Sequence, residues 1–150
     1  MARVGVLGIG NVLMGDDALG AHVVKLLEAR YDFEPPVSLA EAGTPGAALP
    51  SFLAGLEAAI VVDTVKLAGA PGEVRVLDKA ALLARKPILP MSPHEPGLRE
   101  ALLAMEFRGE APGKVLLVGV VPGSVEMGIG LSPAVRGALP AAVEEVLRQL

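Results

Sequence analysis

Apolar positions along the chain follow two rhythms. Residues 4–9, 58–62 and 114–121 are nearly unbroken apolar runs, whereas residues 18–31, 97–107 and 132–150 repeat their apolar positions with a helical period. In the first helical stretch Leu19, Val23, Leu26 and Leu27 share a face. Shorter segments fill the intervals: a strand at 37–40, a helix at 47–54, and an alternating edge strand at 72–77. Strands apolar along their whole length need burial on both faces, and amphipathic helices between them supply the cover. The expected fold is therefore α/β, a three-layer α-β-α domain with a mostly parallel twisted sheet, spanning 1–150 as one unit. Ser132–Pro133 gives the last helix an N-cap followed by the favoured proline position, while Pro140 inside it predicts a kink or break.

Composition narrows the function. With 150 residues, 52% of them hydrophobic and 20% charged, the chain has enough apolar material for a substantial core. The apolar runs fall well short of the roughly 20 residues that cross a bilayer, so membrane insertion is not expected. The N-terminus enters its first strand with no basic segment, apolar signal core or small-residue cleavage site, which predicts a cytoplasmic protein. Absence of cysteine removes disulfides, thiolate metal ligands and a cysteine nucleophile. A net charge of −4, with one tyrosine, three phenylalanines and no tryptophan, offers neither a basic face nor a stacking platform, and nucleic acid is excluded as an expected partner.

In an open α/β sheet, ligands bind beyond the carboxyl ends of the strands. Loops there carry Gly8–Ile9–Gly10–Asn11 through Gly15–Asp16–Asp17 after the first strand and Asp63 after the third, and the proline-rich segment Met91–Ser92–Pro93–His94–Glu95 can return to the same rim. One imidazole with two carboxylates suits a borderline divalent ion and leaves coordination positions open. Each piece also has a structural reading. Asp16 or Asp17 can cap the following helix, Asp63 can close an Asx-type turn, and His94 can lie in a capping box running from Ser92 to Glu95. His22, beside the apolar face of the first helix, reads as a partly buried structural histidine. Gly8-x-Gly10 matches a dinucleotide fingerprint poorly, because the third glycine would fall at Leu13. No G-x-S-x-G or H-E-x-x-H hydrolase signature is present.

The ordered set Gly8-x-Gly10-Asn11-x-Leu13-x-x-Asp16-Asp17-x-x-Gly20, Gly43–Thr44–Pro45–Gly46, Asp63, Ser92–Pro93–His94 and Leu117–Val118–Gly119–Val120–Val121–Pro122 resembles the hydrogenase maturation proteases along the whole chain. That resemblance implies an endopeptidase which removes a C-terminal extension from the large-subunit precursor of a nickel–iron hydrogenase after nickel insertion. It also implies Asp17, Asp63 and His94 as metal ligands that recognise substrate-bound nickel. No cofactor would be permanently bound, although other divalent ions could occupy the site. Asp17, or else Asp16, would be catalytic, and Gly43 and Thr44 would contact the substrate. The chain departs from the family in carrying Glu41–Ala42–Gly43–Thr44 where an Asp-Gly-Gly-Thr sequence is common, and Lys66 where an acidic or small residue is common.

Two alternatives stand beside this reading. A nickel-dependent checkpoint or chaperone would bind the precursor through the same ligands without cutting it. A nucleotide-binding domain would rest on Gly8-x-Gly10 alone. A monomer that docks transiently is expected, since a protease must release its product.

Overall fold

The computed structural model describes residues 3–84 and 97–150. Five strands, β1 (Val4–Ile9), β2 (Ser38–Gly43), β3 (Ala58–Thr64), β4 (Val74–Asp78) and β5 (Lys114–Val120), form one sheet in the order β2-β1-β3-β5-β4. The first four of that order run parallel, and only the edge strand β4 is antiparallel. Its direction follows from its connection. Residues 65–73 stay at the carboxyl end of β3 and carry no crossover helix, so the next strand starts at that end and runs backwards.

Helices cover both faces. Helices α1 (Leu19–Arg30) and α5 (Pro133–Gln149) pack on Val6, Ile60, Val62, Leu116, Val118 and Val120. On the other face α2 (Leu49–Leu53), α3 (Lys79–Ala84) and α4 (Leu98–Phe107) cover Leu7, Ile9, Ala59, Val61, Val115 and Leu117. Successive strand residues thus feed alternate cores, which is why polar alternation is missing from β3 and β5. Among the described residues no helix is long and apolar enough to cross a membrane.

The expected elements occur, with β2 running on to Gly43 beyond the expected 37–40 and the helix expected at 47–54 formed as a 3-10 turn, Gly46–Ala48, followed by α2. The third strand runs on through Asp63 and Thr64 rather than stopping at Asp63. Helix α3 follows β4 directly, where the pattern of the sequence was not read as helical. Helix α5 is unbroken at Pro140. That residue is exposed, so the carbonyl deprived of its helical donor lies on the solvent side, while Val135, Ala138, Ala142, Val143 and Val146 anchor the opposite face.

What sets the position of α1 is the close crossing of two glycines. A Cβ on Gly8 would collide with the Gly20 carbonyl, and one on Gly20 would lie 2.5 Å from the Val62 carbonyl oxygen and 2.6 Å from that of Ile9. Only without these side chains can the first turn of α1 lie on the ends of β1 and β3. The turn before it, a 3-10 segment Gly15–Ala18, is thereby pressed into the protein, leaving Asp16 and Asp17 only 1% and 3% exposed.

Asp16 then ties this turn to the loop after β5 and the start of α5. Its Oδ2 accepts hydrogen bonds from the Gly123 N–H (2.7 Å), the Ser124 N–H (2.9 Å) and the Ser132 hydroxyl (2.8 Å), and its Oδ1 accepts from the Ser132 N–H (2.6 Å). Ser132 starts α5 as expected, but its side chain serves Asp16 rather than capping its own helix. Burial pushes the Asp16 carboxyl upward, yet the bonds from Ser124, Ser132 and Gly123 outweigh it and hold the group below the usual aspartate range.

Gly20→Ala meets only backbone atoms, so it should cost roughly 3 kcal/mol and lower Tm by on the order of 10 °C. Gly137→Ala, on the exposed face of α5 with nothing within 4 Å of the added methyl, should raise stability by about 0.5–1 kcal/mol. Both are read by thermal unfolding. Because the folded Asp16 carboxyl titrates below its unfolded value of about 3.9, its contribution is complete above that value and disappears as pH falls through the folded one. Asp16→Asn should therefore destabilise by roughly 2–4 kcal/mol at pH 7, with the gap to wild type narrowing below about pH 4 in urea titrations.

Candidate functional site at the carboxyl ends of the central strands

Beyond the ends of β1 and β3 the chain is built to hold one carboxylate still. Gly10 turns with φ of +137°, and a Cβ there would collide with the Asp17 carbonyl, so the loop passes directly against the Asp17 backbone. From this position the Asn11 N–H donates to Asp17 Oδ2 at 2.8 Å. The Thr64 hydroxyl donates to Asp17 Oδ1 at 3.3 Å from the last residue of β3. Asn11 is fixed in turn, because its side-chain oxygen accepts the Leu13 N–H at 2.9 Å.

Asp63 immediately precedes Thr64, and strand alternation puts it on the opposite face, in line with Val61. Its Oδ1 accepts the Thr64 N–H at 2.7 Å, a bond to the next residue rather than the two-residue span of an Asx-type turn. Asp63 is half-buried at the sheet end. Asp17 and Asp63 are thus joined through the single residue Thr64. His94 and the rest of the 91–95 segment lie outside the described residues. Among those described, no group of three histidine, cysteine, aspartate or glutamate side chains forms a metal-sized cluster.

Neither acidic residue caps α1. Its N-cap is Ala18, with no side-chain cap bond, and the sequence-based expectation that Asp16 or Asp17 performs this task is corrected. The 3-10 turn ahead of the helix directs one carboxylate toward residues 123–132 and the other toward Asn11 and Thr64.

Gly43 ends β2 beside this loop. Its carbonyl accepts the Gly10 N–H at 2.8 Å, and its φ of +61° demands glycine although the space around it is open. Pairing of β1 with β2 slips at this point, from Gly8 opposite Glu41 to Ile9 opposite Gly43. The slip swings Thr44 out into solvent next to the rim. Glu41 is exposed on β2, with Lys25 of α1 opposite it at 4.0 Å. His22 is half-buried on α1. Its pKa is lowered first by burial and then by Lys25 and Arg136, against an opposing pull from Glu41, which favours the neutral imidazole of a structural residue.

The sequence gives no role at the site to Thr64 or to the clasp of Gly123, Ser124 and Ser132, and it shows Asn11 only as part of a motif. Thr64 had one available signal, a hydroxyl at the end of an apolar strand next to a candidate ligand. The clasp had none, because its members lie over a hundred positions from Asp16.

Comparison with known proteins identifies the family of the fold. The hydrogenase maturation protease family model, HycI, matches residues 21–149. The chain is 40% identical to the hydrogenase 2 maturation protease of Escherichia coli (strain K12), an alignment covering 99% of this chain and 90% of that protein. It is 33% identical to the hydrogenase expression/formation protein HupD of Rhizobium leguminosarum bv. viciae, with 99% and 74% covered. In three dimensions it superposes on the hydrogenase maturating endopeptidase HybD from Escherichia coli with a TM-score of 0.87 at 39% identity, over 99% of this chain and 91% of that one. A hydrogenase 2 maturation peptidase from Thaumarchaeota archaeon SCGC_AB-539-E09 gives a TM-score of 0.73 at 35% identity, over 98% and 97%. With its five-stranded, mostly parallel α/β architecture, the chain belongs to the hydrogenase maturation protease family and is a peptidase.

Proposed function

We propose that this peptidase removes the C-terminal extension of a nickel–iron hydrogenase large-subunit precursor once nickel has been inserted, and that it recognises the nickel carried by that substrate. The observation that carries the reading is the Asp17 carboxylate, withdrawn from solvent and held by the Asn11 N–H and the Thr64 hydroxyl beside Asp63. Fixing a carboxylate in place is what selective metal recognition requires, since ligands that are already oriented lose little freedom on binding.

On this reading Asp17, Asp63 and His94 approach the substrate's nickel, which its own thiolates hold, and the scissile peptide is thereby placed in the site. A water attacks the carbonyl carbon while a carboxylate accepts its proton. The new C–O bond forms, the C–N bond breaks, and the proton passes to the leaving amine. Asp17 is the better candidate for the acceptor, because both Asp16 oxygens are committed to four donors from residues 123–132. Asp16 then acts through position, by holding the 3-10 turn that presents Asp17. Gly43, whose carbonyl accepts the Gly10 N–H, and the exposed Thr44 are read as contacts for substrate backbone. The enzyme is read as a cytoplasmic monomer without a resident cofactor. Membership in a peptidase family favours cutting over a checkpoint that merely binds.

Mass spectrometry of the nickel-loaded precursor tests this directly. Wild type should remove a short C-terminal peptide and leave the nickel-free precursor intact, and Asp17→Asn and His94→Ala should each reduce the rate at least 100-fold. Normal trimming by both variants would overturn the ligand assignment. Thr64→Val, which removes the hydroxyl that orients Asp17, should lower kcat by about tenfold, and Thr64→Ser should restore most of it. An unchanged kcat in the valine variant would show that Asp17 needs no such support.

A further inference from the structure

Four large apolar side chains stand in solvent at the end of the molecule that carries the site. Val12 is 48% exposed, Leu13 56%, Met127 85% and Ile129 90%. Val12 and Leu13 lie on the loop after β1, a few residues before Asp16 and Asp17. Met127 and Ile129 lie on the loop after β5. In the sheet β1 and β5 flank β3, so these two loops meet across the end of the strand that bears Asp63 and Thr64.

Their meeting is fixed by the backbone. Met14 and Gly128 form a parallel bridge in which the Gly128 N–H donates to the Leu13 carbonyl at 2.8 Å and the Gly15 N–H donates to the Gly128 carbonyl at 2.9 Å. A third bond runs from the Asp16 N–H to the Ser124 carbonyl at 2.8 Å, and the buried Asp16 carboxylate adds its own bonds to Gly123, Ser124 and Ser132. The four side chains therefore sit on a joined platform. Their exposure fractions correspond to on the order of 500 Å² of apolar surface, the size of a functional patch on a monomer. A stable dimer needs about 800 Å² per partner, contributed by some 20–30 residues, which this surface does not supply.

We propose that this apolar rim is the docking surface for an uncharged, apolar stretch of the polypeptide that the enzyme cleaves, gripping the substrate beside the scissile bond. The identity of that polypeptide rests on the precursor reading given above. Continuity with the site selects the occupant. Leu13 shares a loop with Asp17, and Gly123 and Ser124, which hold Asp16, begin the loop that carries Met127, so a chain lying across Asp17 and Asp63 runs onto the rim. The chemistry agrees, because valine, leucine, methionine and isoleucine present no charge or hydrogen-bonding group and favour apolar partners. Methionine adapts its shape to the partner it meets.

The test compares wild type with Met127→Ser/Ile129→Ser and with the conservative Met127→Leu/Ile129→Val. Binding of the nickel-loaded large-subunit precursor is measured by titration calorimetry, together with kcat and KM for release of the tail. Both positions are exposed, so Tm should not change. The serine variant should bind at least tenfold more weakly and lose at least tenfold in kcat/KM through KM, with the leucine/valine variant within twofold of wild type. Binding and kcat/KM within twofold of wild type in the serine variant would overturn the proposal. So would sedimentation showing a wild-type dimer that the serine pair dissociates without affecting processing, which would assign the rim to a second copy. A failed precursor reading shows up differently, as no cleavage by wild type. If the precursor is then bound but uncut, the binding arm alone decides the rim, and if wild type does not bind it, the rim proposal falls as well.

Discussion

The arrangement of the site depends on one steric constraint, the approach of α1 to the ends of β1 and β3 at a point where neither Gly8 nor Gly20 carries a side chain. With the helix seated there, the turn that precedes it cannot remain on the surface, and two consecutive carboxylates enter the protein together. Burying charge is costly unless each group finds donors. The fold meets that demand with the loop after β5 for Asp16 and with the Gly10–Asn11 turn and Thr64 for Asp17. Glycine packing and carboxylate placement are therefore one feature of the chain seen at two levels.

Asp16 and Asp17 are adjacent and chemically identical, yet a 3-10 turn sends them to different partners. Asp16 is saturated by four donors and holds its charge firmly, which suits it to fastening residues 123–132 and the start of α5. Asp17 instead accepts the Asn11 N–H and the Thr64 hydroxyl, which turn its carboxylate toward the end of β3 next to Asp63. The same fastening that protects Asp16 from water also joins the two rim loops, so a residue that the sequence offers as a helix cap or a second catalytic candidate shapes the surface around the site. Exposed apolar side chains on that surface are a liability for solubility, and they persist where binding makes use of them.

Much of this was legible in the chain. Unbroken apolar strands and amphipathic helices fix a mostly parallel sheet covered on both faces, because no other arrangement buries both faces of β3 and β5. The loops after β1 and β3 stood out as the candidate place for chemistry, since strand ends in open α/β sheets are where loops converge. Ser132 opens α5 at the expected N-cap position although its side chain is spent on Asp16, and the interruption expected at Pro140 does not occur. Local rules cannot see that Asp16 draws the Ser132 side chain away, or that buried contacts on one side of α5 hold the helix through an exposed proline.

By itself, then, the sequence determined the class of fold, the strands that end in carboxylates, and through its ordered motifs the family of peptidases to which it belongs. Periodicity and composition are properties of neighbouring residues, so they survive in a linear reading. Tertiary structure alone decided which of Asp16 and Asp17 is consumed by the scaffold, that Thr64 supports the other, and that Val12 and Leu13 join Met127 and Ile129 in one rim. Those outcomes depend on contacts between residues far apart in the chain, and such contacts exist only once α1 has settled against the ends of β1 and β3.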